Sequence, residues 1–125
     1  MTVGDLCICC LATPGHTQDH CSFVVTHVTP DSSKTPFLFC GDTMFSAGCG
    51  GLFEGTAGDM FQSFKIFSQM PNDTRVCCAH EYTRQNLEFA RYLESNNTKI
   101  MQRIKQVEFL KIHGNPTVPS TILIE

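Results

Sequence analysis

Residues 39–56, Phe39-Cys40-Gly41-Asp42-Thr43-Met44-Phe45-Ser46-Ala47-Gly48-Cys49-Gly50-Gly51-Leu52-Phe53-Glu54-Gly55-Thr56, join the end of an apolar run to a lone carboxylate and a glycine-rich stretch. Phe37 to Cys40 reads as a short strand ending at Gly41-Asp42, which puts a candidate ligand where open α/β sheets keep their chemistry. Residues 46–55 are too glycine-rich for regular structure and are expected to form a loop close to that site. Two other motifs share this form, a histidine beside small or turn-forming residues just after an apolar run. Thr13-Pro14-Gly15-His16-Thr17 follows Leu6–Ala12, and Ala79-His80-Glu81-Tyr82-Thr83 follows Arg75–Cys78.

Taken singly, none of the three ligand candidates is specific. His16 reads equally as a surface loop residue, Asp42 as a turn cap, and His80 as a half-buried histidine bonded to a backbone carbonyl. Together they are a ligand set suited to a hydrolytic zinc centre, because each follows a separate strand and strand ends converge on one rim of a parallel or mixed sheet. Gly15, Gly41 and Ala79 would let backbone approach a compact cluster. His20 and Asp19 rank behind His16 as ligands, His20 because it starts the next strand and Asp19 because it is expected to face solvent. Centres of this kind draw further ligands from a dense cluster such as H-x-H-x-D-H, and no such cluster occurs in these 125 residues.

The first half reads as strands and loops: Leu6–Ala12, Cys21–Val28, a polar surface hairpin connection over Pro30–Pro36, then Phe37–Cys40. Thr56-x-x-Asp59 predicts a capping box opening a helix with Met60, Phe64 and Phe67 on one face and Pro71 just beyond its end. Past Thr83 the pattern turns helical. Phe89, Ala90 and Leu93 are expected to share the apolar face of a first helix, and Ile100, Ile104 and Val107 mark a second up to about Lys111, with Asn96-Asn97 between. Gly114-Asn115-Pro116 ends it, and Thr117–Glu125 is expected to add no further element.

The chain is 125 residues long, 42% hydrophobic, with a net charge of −3 from nine basic and twelve acidic residues. That is at most one ordinary domain, with no basic footprint for nucleic acid and no polybasic membrane patch. No apolar run approaches a membrane span, and Met1-Thr2-Val3-Gly4-Asp5 lacks the basic flank of a secretory signal, so a soluble, cytoplasmic protein is expected. Eight cysteines invite a disulfide or zinc-knuckle reading, but Cys7-x-x-Cys10 has no turn-forming interior and no second pair. Reduced, buried cysteines acting as small hydrophobes are expected instead.

The motifs TPGHT, FCGDTMFSAGCGGLFEGT, VCCAHEYT and NLEFA, in this order and spacing, resemble the central and later part of glyoxalase II, hydroxyacylglutathione hydrolase, of the metallo-β-lactamase superfamily. GCGxxFEGT with CAHEYT carries the specificity, and bacterial members are resembled most. The resemblance implies an α/β fold: the second half of an αββα sandwich over residues 1–82, then the first helices of a C-terminal helical region over 83–125. It implies a binuclear site in which His16 binds one metal, His80 the other, and Asp42 bridges both. The metal would be zinc, two per complete site, with iron or manganese as alternatives. The other four ligands belong to an upstream T-H-x-H-x-D-H loop that nothing here matches.

The implied reaction is hydrolysis of the thioester S-D-lactoylglutathione to glutathione and D-lactate by a metal-bridging hydroxide, a step of methylglyoxal detoxification. Tyr82 matches a glutathione-contacting position. Relatives offer a basic residue where this chain has Gly51, and some a tyrosine where it has Phe53, so the contact with an anionic tripeptide is weaker here. The leading expectation is a C-terminal portion of such a hydrolase, with the activity of the isolated chain left open. Two alternatives stand beside it: another thioester hydrolase of the same fold, and a non-catalytic chain that pairs its exposed sheet with a partner. A complementing N-terminal half is a special case of the last.

Overall fold

Three apolar runs, Leu6–Ala12, Cys21–His27 and Phe37–Gly41, become consecutive antiparallel strands (β2, β3 and β4) in the computed structural model, which describes residues 1–29 and 34–125. The hairpin connection expected over Pro30–Pro36 falls largely on residues 30–33, outside the described residues. Thr2–Val3 (β1) pairs with the outer edge of β2, and Arg75–Cys78 (β7) runs parallel to β4. The remaining strands are Met44–Phe45 (β5), Gly48–Cys49 (β6) and Ser120–Thr121 (β8); the helices are Ala57–Phe67 (α1), Thr83–Leu93 (α2) and Thr98–Ile112 (α3). The main sheet has the order β1-β2-β3-β4-β7-β8, and β5-β6 is a separate two-stranded hairpin.

This pairing fixes where the loops emerge. β3 is antiparallel to both β2 and β4, and β4 is parallel to β7, so β2, β4 and β7 all run in one direction. Their C-terminal ends, followed by His16, Asp42 and His80 respectively, open onto the same rim of the sheet.

Alternation along the strands separates two faces. Leu38, Cys40 and Val76 point inward and are fully buried, packed with Met44 and Phe67 and flanked by Val24, Phe64, Met70 and Ile122. α1 covers this face. Its N-terminus is closed as the Thr56/Asp59 pair predicts: the Asp59 amide donates to Thr56 Oγ1 at 3.2 Å, and the Thr56 amide donates to Asp59 Oδ2 at 2.8 Å. Such a cap stabilises a helix by about 1 kcal/mol. On the opposite face Phe23 and Phe39 face each other across β3 and β4, with Phe37 beside them, and all three are exposed. That face is apolar and uncovered in the chain as described.

Four expectations are corrected. The segment after Pro116 does contribute an element, since β8 pairs antiparallel with β7 and extends the main sheet. A two-residue strand has no period to read and exists only through its partner. Residues 46–55 are not wholly irregular, because Gly48–Cys49 folds back on Met44–Phe45. In α2 the inner face is Thr83 and Leu87, with Ala90 half-buried, whereas Phe89 and Leu93 point outward. Two apolar stripes compete on that helix, and the one meeting α3 through Ile100, Ile104 and Val107 is covered. Finally, the cysteines are free as expected, but only Cys40 is buried; Cys9, Cys10, Cys21 and Cys49 are exposed. Cys10 and Cys21 lie on the uncovered sheet face, which accounts for the exposure of these two. Burial pushes the Cys40 thiol up to about 12. Among the described residues no helix is long and apolar enough to cross a membrane.

Candidate metal centre

The rim gathers the three ligand candidates from positions up to 64 residues apart in sequence, His16 to His80. His16 Nε2 lies 3.6 Å from Asp42 Oδ2, and His80 Nε2 lies 3.5 Å from Asp42 Oδ1. Each carboxylate oxygen thus faces a different imidazole. Asp42 Oδ1 is buried and has no hydrogen-bond partner among the described residues.

The tautomer of His16 follows from its other nitrogen. Nδ1 is 2.7 Å from the Gly51 carbonyl oxygen, which can only accept, so Nδ1 carries the proton. In the neutral ring Nε2 then presents a lone pair to a carboxylate oxygen. Two electron-rich atoms facing each other at this range need a cation between them, a proton or a metal ion. The Nδ1–H to carbonyl bond is also the usual way of orienting a metal-binding imidazole. The donor set of neutral imidazole and carboxylate, with one carboxylate oxygen otherwise orphaned, fits a divalent metal.

The geometry supplies two pairs of donors, His16 with Asp42 Oδ2 and His80 with Asp42 Oδ1, rather than three around one point. Among the described residues no group of three His, Cys, Asp or Glu side chains is arranged to hold a metal ion by itself.

Glycines make the approach of these loops possible. Gly41 has φ +52°, and a Cβ there would meet His20 Nε2 at 2.7 Å. A Cβ on Gly50 would strike the Asp42 carbonyl oxygen and come within 2.9 Å of His16 Nδ1. The Gly50 amide donates to that same Asp42 carbonyl at 3.1 Å, closing the loop that spans the β5–β6 hairpin.

His20 supports the site instead of entering it. The Asp42 amide donates to His20 Nε2 at 3.3 Å, which leaves the ring proton on Nδ1. Nδ1–H donates to the Thr43 hydroxyl at 2.8 Å, and the Thr13 hydroxyl lies at 3.1 Å. Thr43 Oγ1 in turn donates to the Thr13 carbonyl at 3.2 Å, and Thr13 shares a 2.8 Å bond with Ser22. Thr13, Thr43 and Ser22 are all fully buried. Burial lowers the His20 pKa, with His16 adding to the effect and Asp42 opposing it, so the neutral ring required by this network is favoured. Asp19 is exposed.

Aromatic rings line the mouth. Tyr82 stacks on His80 with centroids 5.1 Å apart and planes 20° apart, and Phe45 meets both edge-on. Phe53 lies 4.9 Å from the His16 ring and is 78% exposed. Its amide donates to the His16 carbonyl at 3.1 Å. Gly51 is exposed, and a Cβ there would meet only the Phe53 ring, at 3.7 Å. Glu54 accepts from the Gln18 amide at 3.0 Å and Ser63 Oγ donates to the Pro14 carbonyl at 2.8 Å, tying the glycine loop and α1 to the His16 loop. The buried threonine network and these ties were not read from the sequence. The threonines in TPGHT and GDT were its only visible sign. A separate cavity of about 350 Å³, lined by Ser46, Leu87, Lys99, Arg103 and Glu125 among others, lies behind the hairpin and touches none of the three ligand candidates.

Comparison with known proteins agrees in sequence and in fold. The chain is 48% identical over 115 residues to a hydroxyacylglutathione hydrolase of Serratia proteamaculans (strain 568), covering 92% of this chain and 42% of the relative. The chain is similar to the hydroxyacylglutathione hydrolases. The protein of that name from Edwardsiella ictaluri (strain 93-146) is also 48% identical over 115 residues, with the same coverage. That from Shewanella pealeana is 46% identical over 109 residues, covering 87% of this chain and 38% of the relative. The family model described as "Hydroxyacylglutathione hydrolase C-terminus" matches residues 81–125. The chain thus spans about two fifths of the length of these hydroxyacylglutathione hydrolases. A crystal structure of a metallo-β-lactamase from Staphylococcus aureus subsp. aureus COL superimposes with a TM-score of 0.54 and 29% identity, covering 64% of this chain and 24% of that one. The α/β architecture is that of the second half of a metallo-β-lactamase sandwich followed by helices.

Proposed function

We propose that this chain provides the His16–Asp42–His80 part of a binuclear, metal-dependent thioester hydrolase acting on S-(2-hydroxyacyl)glutathiones, S-D-lactoylglutathione above all. One observation carries the proposal: each oxygen of Asp42 faces the Nε2 of a different histidine, and one of those oxygens is buried without a partner. A carboxylate so placed suits bridging of two cations, with His16 on one and His80 on the other. Zinc suits these donors, and iron or manganese would be accepted by the same imidazoles and carboxylate. A bound metal pair would supply a water acidified toward neutrality and polarise the thioester carbonyl.

The chain's own residues do the rest of the positioning. The Gly51 carbonyl holds the His16 proton on Nδ1, and His20 holds the Asp42 backbone. Phe53, Phe45 and Tyr82 give the mouth apolar walls, and Tyr82 presents its hydroxyl beside His80 for the glutathione moiety. The leaving group is a thiolate whose conjugate thiol has a pKa of about 8.5, so no side chain is needed as a strong acid. The relatives' names support the glutathione thioester as substrate.

We further assign residues 1–82 to the sandwich and 83–125 to the start of the helical region. The apolar face bearing Phe23, Phe37 and Phe39 is where a complementing N-terminal half would sit, bringing the four further ligands. A cytoplasmic enzyme acting on a small molecule, with neither nucleic acid nor membrane as partner, is the setting these features support.

The test is turnover of S-D-lactoylglutathione by the native protein purified with its metals, beside metal content by mass spectrometry. Bound metal and turnover, both lost in Asp42→Ala, support the assignment. Metal retained in full by Asp42→Ala overturns the ligand set, and turnover confined to thioesters lacking glutathione overturns the substrate.

A further inference from the structure

The β5–β6 hairpin holds the candidate centre at its open end and is gripped from outside at its turn. Asp42 immediately precedes β5 across Thr43, and Gly50 and Gly51 follow β6. The Gly50 amide to Asp42 carbonyl bond (3.1 Å) and the Gly51 carbonyl to His16 Nδ1 bond (2.7 Å) both sit at this open end. The hairpin is short, with Met44 opposite Cys49 and Phe45 opposite Gly48, and Met44 and Phe45 are buried.

At the turn, Ala47 has φ +60°, a left-handed conformation that a side chain disfavours. Such a conformation persists only where the surroundings hold it. Here the Ser46 hydroxyl donates to Glu125 Oε1 at 2.7 Å, and the Ala47 amide donates to Glu125 Oε2. On the other side Asn86 of α2 donates through Nδ2 to the Ser46 carbonyl at 3.0 Å. Gly48 leaves room for that amide, since a Cβ there would meet Asn86 at 2.8 Å. Ser46 itself is buried, with 2% exposure. Three bonds from two distant residues thus fix one two-residue turn, and neither residue touches His16, Asp42 or His80.

We infer that Glu125 is a positioning residue for the candidate metal centre, acting with Asn86 through the β5–β6 turn on Asp42 and the Gly51 carbonyl. The carboxylate holds the turn from 79 residues away in sequence, so the segment following α3 is tied to the candidate metal rim through the hairpin. Both oxygens of Glu125 are used, which a shorter or apolar side chain could not reproduce. This inference rests on His16 and Asp42 being ligands, as proposed above.

The test compares the full chain with Glu125→Ala and Glu125→Gln by two readouts. One is the His16 Nδ1–H resonance in ¹⁵N-resolved NMR of the metal-free protein, assigned by its loss in His16→Ala. The other is zinc affinity by competition with a chromophoric chelator. E125A is expected to shift or broaden the His16 signal in a protein that remains folded, and to weaken zinc binding by about 10- to 100-fold, as loss of outer support for a metal ligand does. E125Q, still able to accept one bond, is expected to recover most of both. An unchanged His16 resonance with zinc affinity within about twofold of the parent in E125A overturns the inference. Should E125A fail to fold, Ser46→Ala, which deletes one of the same bonds, is read by the same criteria and decides it. Absence of zinc binding in the parent chain would count against the ligand reading alone, because the His16 resonance still reports the positioning.

Discussion

The carbonyl oxygen of Gly51 lies 2.7 Å from Nδ1 of His16, and through this bond the backbone, not a side chain, chooses which nitrogen of the histidine faces Asp42. The bond leaves the side chain at position 51 out of the orientation of His16. The interacting atom is the carbonyl, common to all residues, and the space beyond the Cα is open except for Phe53.

Gly51→Arg should accordingly change stability by no more than about 0.5 kcal/mol, as substitutions at free surface positions do. Its added cation would face the entrance proposed for an anionic glutathione thioester. The expected outcome is an unchanged unfolding midpoint and, in the native enzyme, a lowered KM with kcat little affected. A lowered kcat at constant KM would place position 51 in orienting His16 by its side chain and contradict the backbone argument.

Gly50 is the opposite case. Its Cβ would overlap the Asp42 carbonyl and press on the His16 ring, and neither can retreat without opening the loop. Gly50→Ala should therefore destabilise the fold by about 1–3 kcal/mol, in the range of overpacking changes. Denaturant unfolding would show this as a fall in midpoint at constant slope.

Much of this site could be read from the sequence, because each ligand candidate marks the end of a run long enough to show its period. β2, β4 and β7 are bounded by Pro-Gly, Gly-Asp and Ala-His, and a mixed sheet then brings those ends to one rim. The His20 ring is taken up by the Asp42 amide and the Thr13 and Thr43 hydroxyls, partners that no local pattern announces. What escaped was set by partners distant in sequence. The β5–β6 ladder and β8 are two residues per strand, too short for any pattern. The choice between Leu87 and Phe89 as the buried face of α2 depends on where α3 lies. Nothing local marks Glu125 as the partner of Ser46, or Thr13 and Thr43 as the floor beneath Asp42.

At the start of α1 the Asp59 carboxylate accepts from the Thr56 hydroxyl at 2.6 Å and from its amide at 2.8 Å. These bonds, the side-chain one first, hold its pKa below the ordinary 3.8. A depressed carboxylate contributes stability that is present above its unfolded pKa and lost as pH falls through the folded value. The cap should therefore be fully effective at neutral pH and fade below about pH 4. Asp59→Asn keeps an acceptor but cannot titrate. The parent chain should melt above Asp59→Asn at pH 7, and the gap should narrow by pH 3. A gap that is constant across this range would show that the carboxylate's ionisation is not what the cap uses.

Asp42 and Tyr82 stand at the same mouth but should fail differently. In the proposed site Asp42 is shared by both cations, so Asp42→Ala should abolish metal retention, as should His16→Ala for the metal it holds. Tyr82 touches the centre only by stacking on His80, 5.1 Å between ring centroids. Tyr82→Phe preserves that stacking and removes one hydroxyl, so metal content should stay at the parent level. If the hydroxyl meets the glutathione moiety, KM should rise by roughly tenfold, the cost of about 1.4 kcal/mol for one lost hydrogen bond. Elemental analysis beside steady-state kinetics on the native protein separates the two roles. Loss of metal in Tyr82→Phe would mean that the stacked pair, and not the Asp42 carboxylate alone, holds His80 in place.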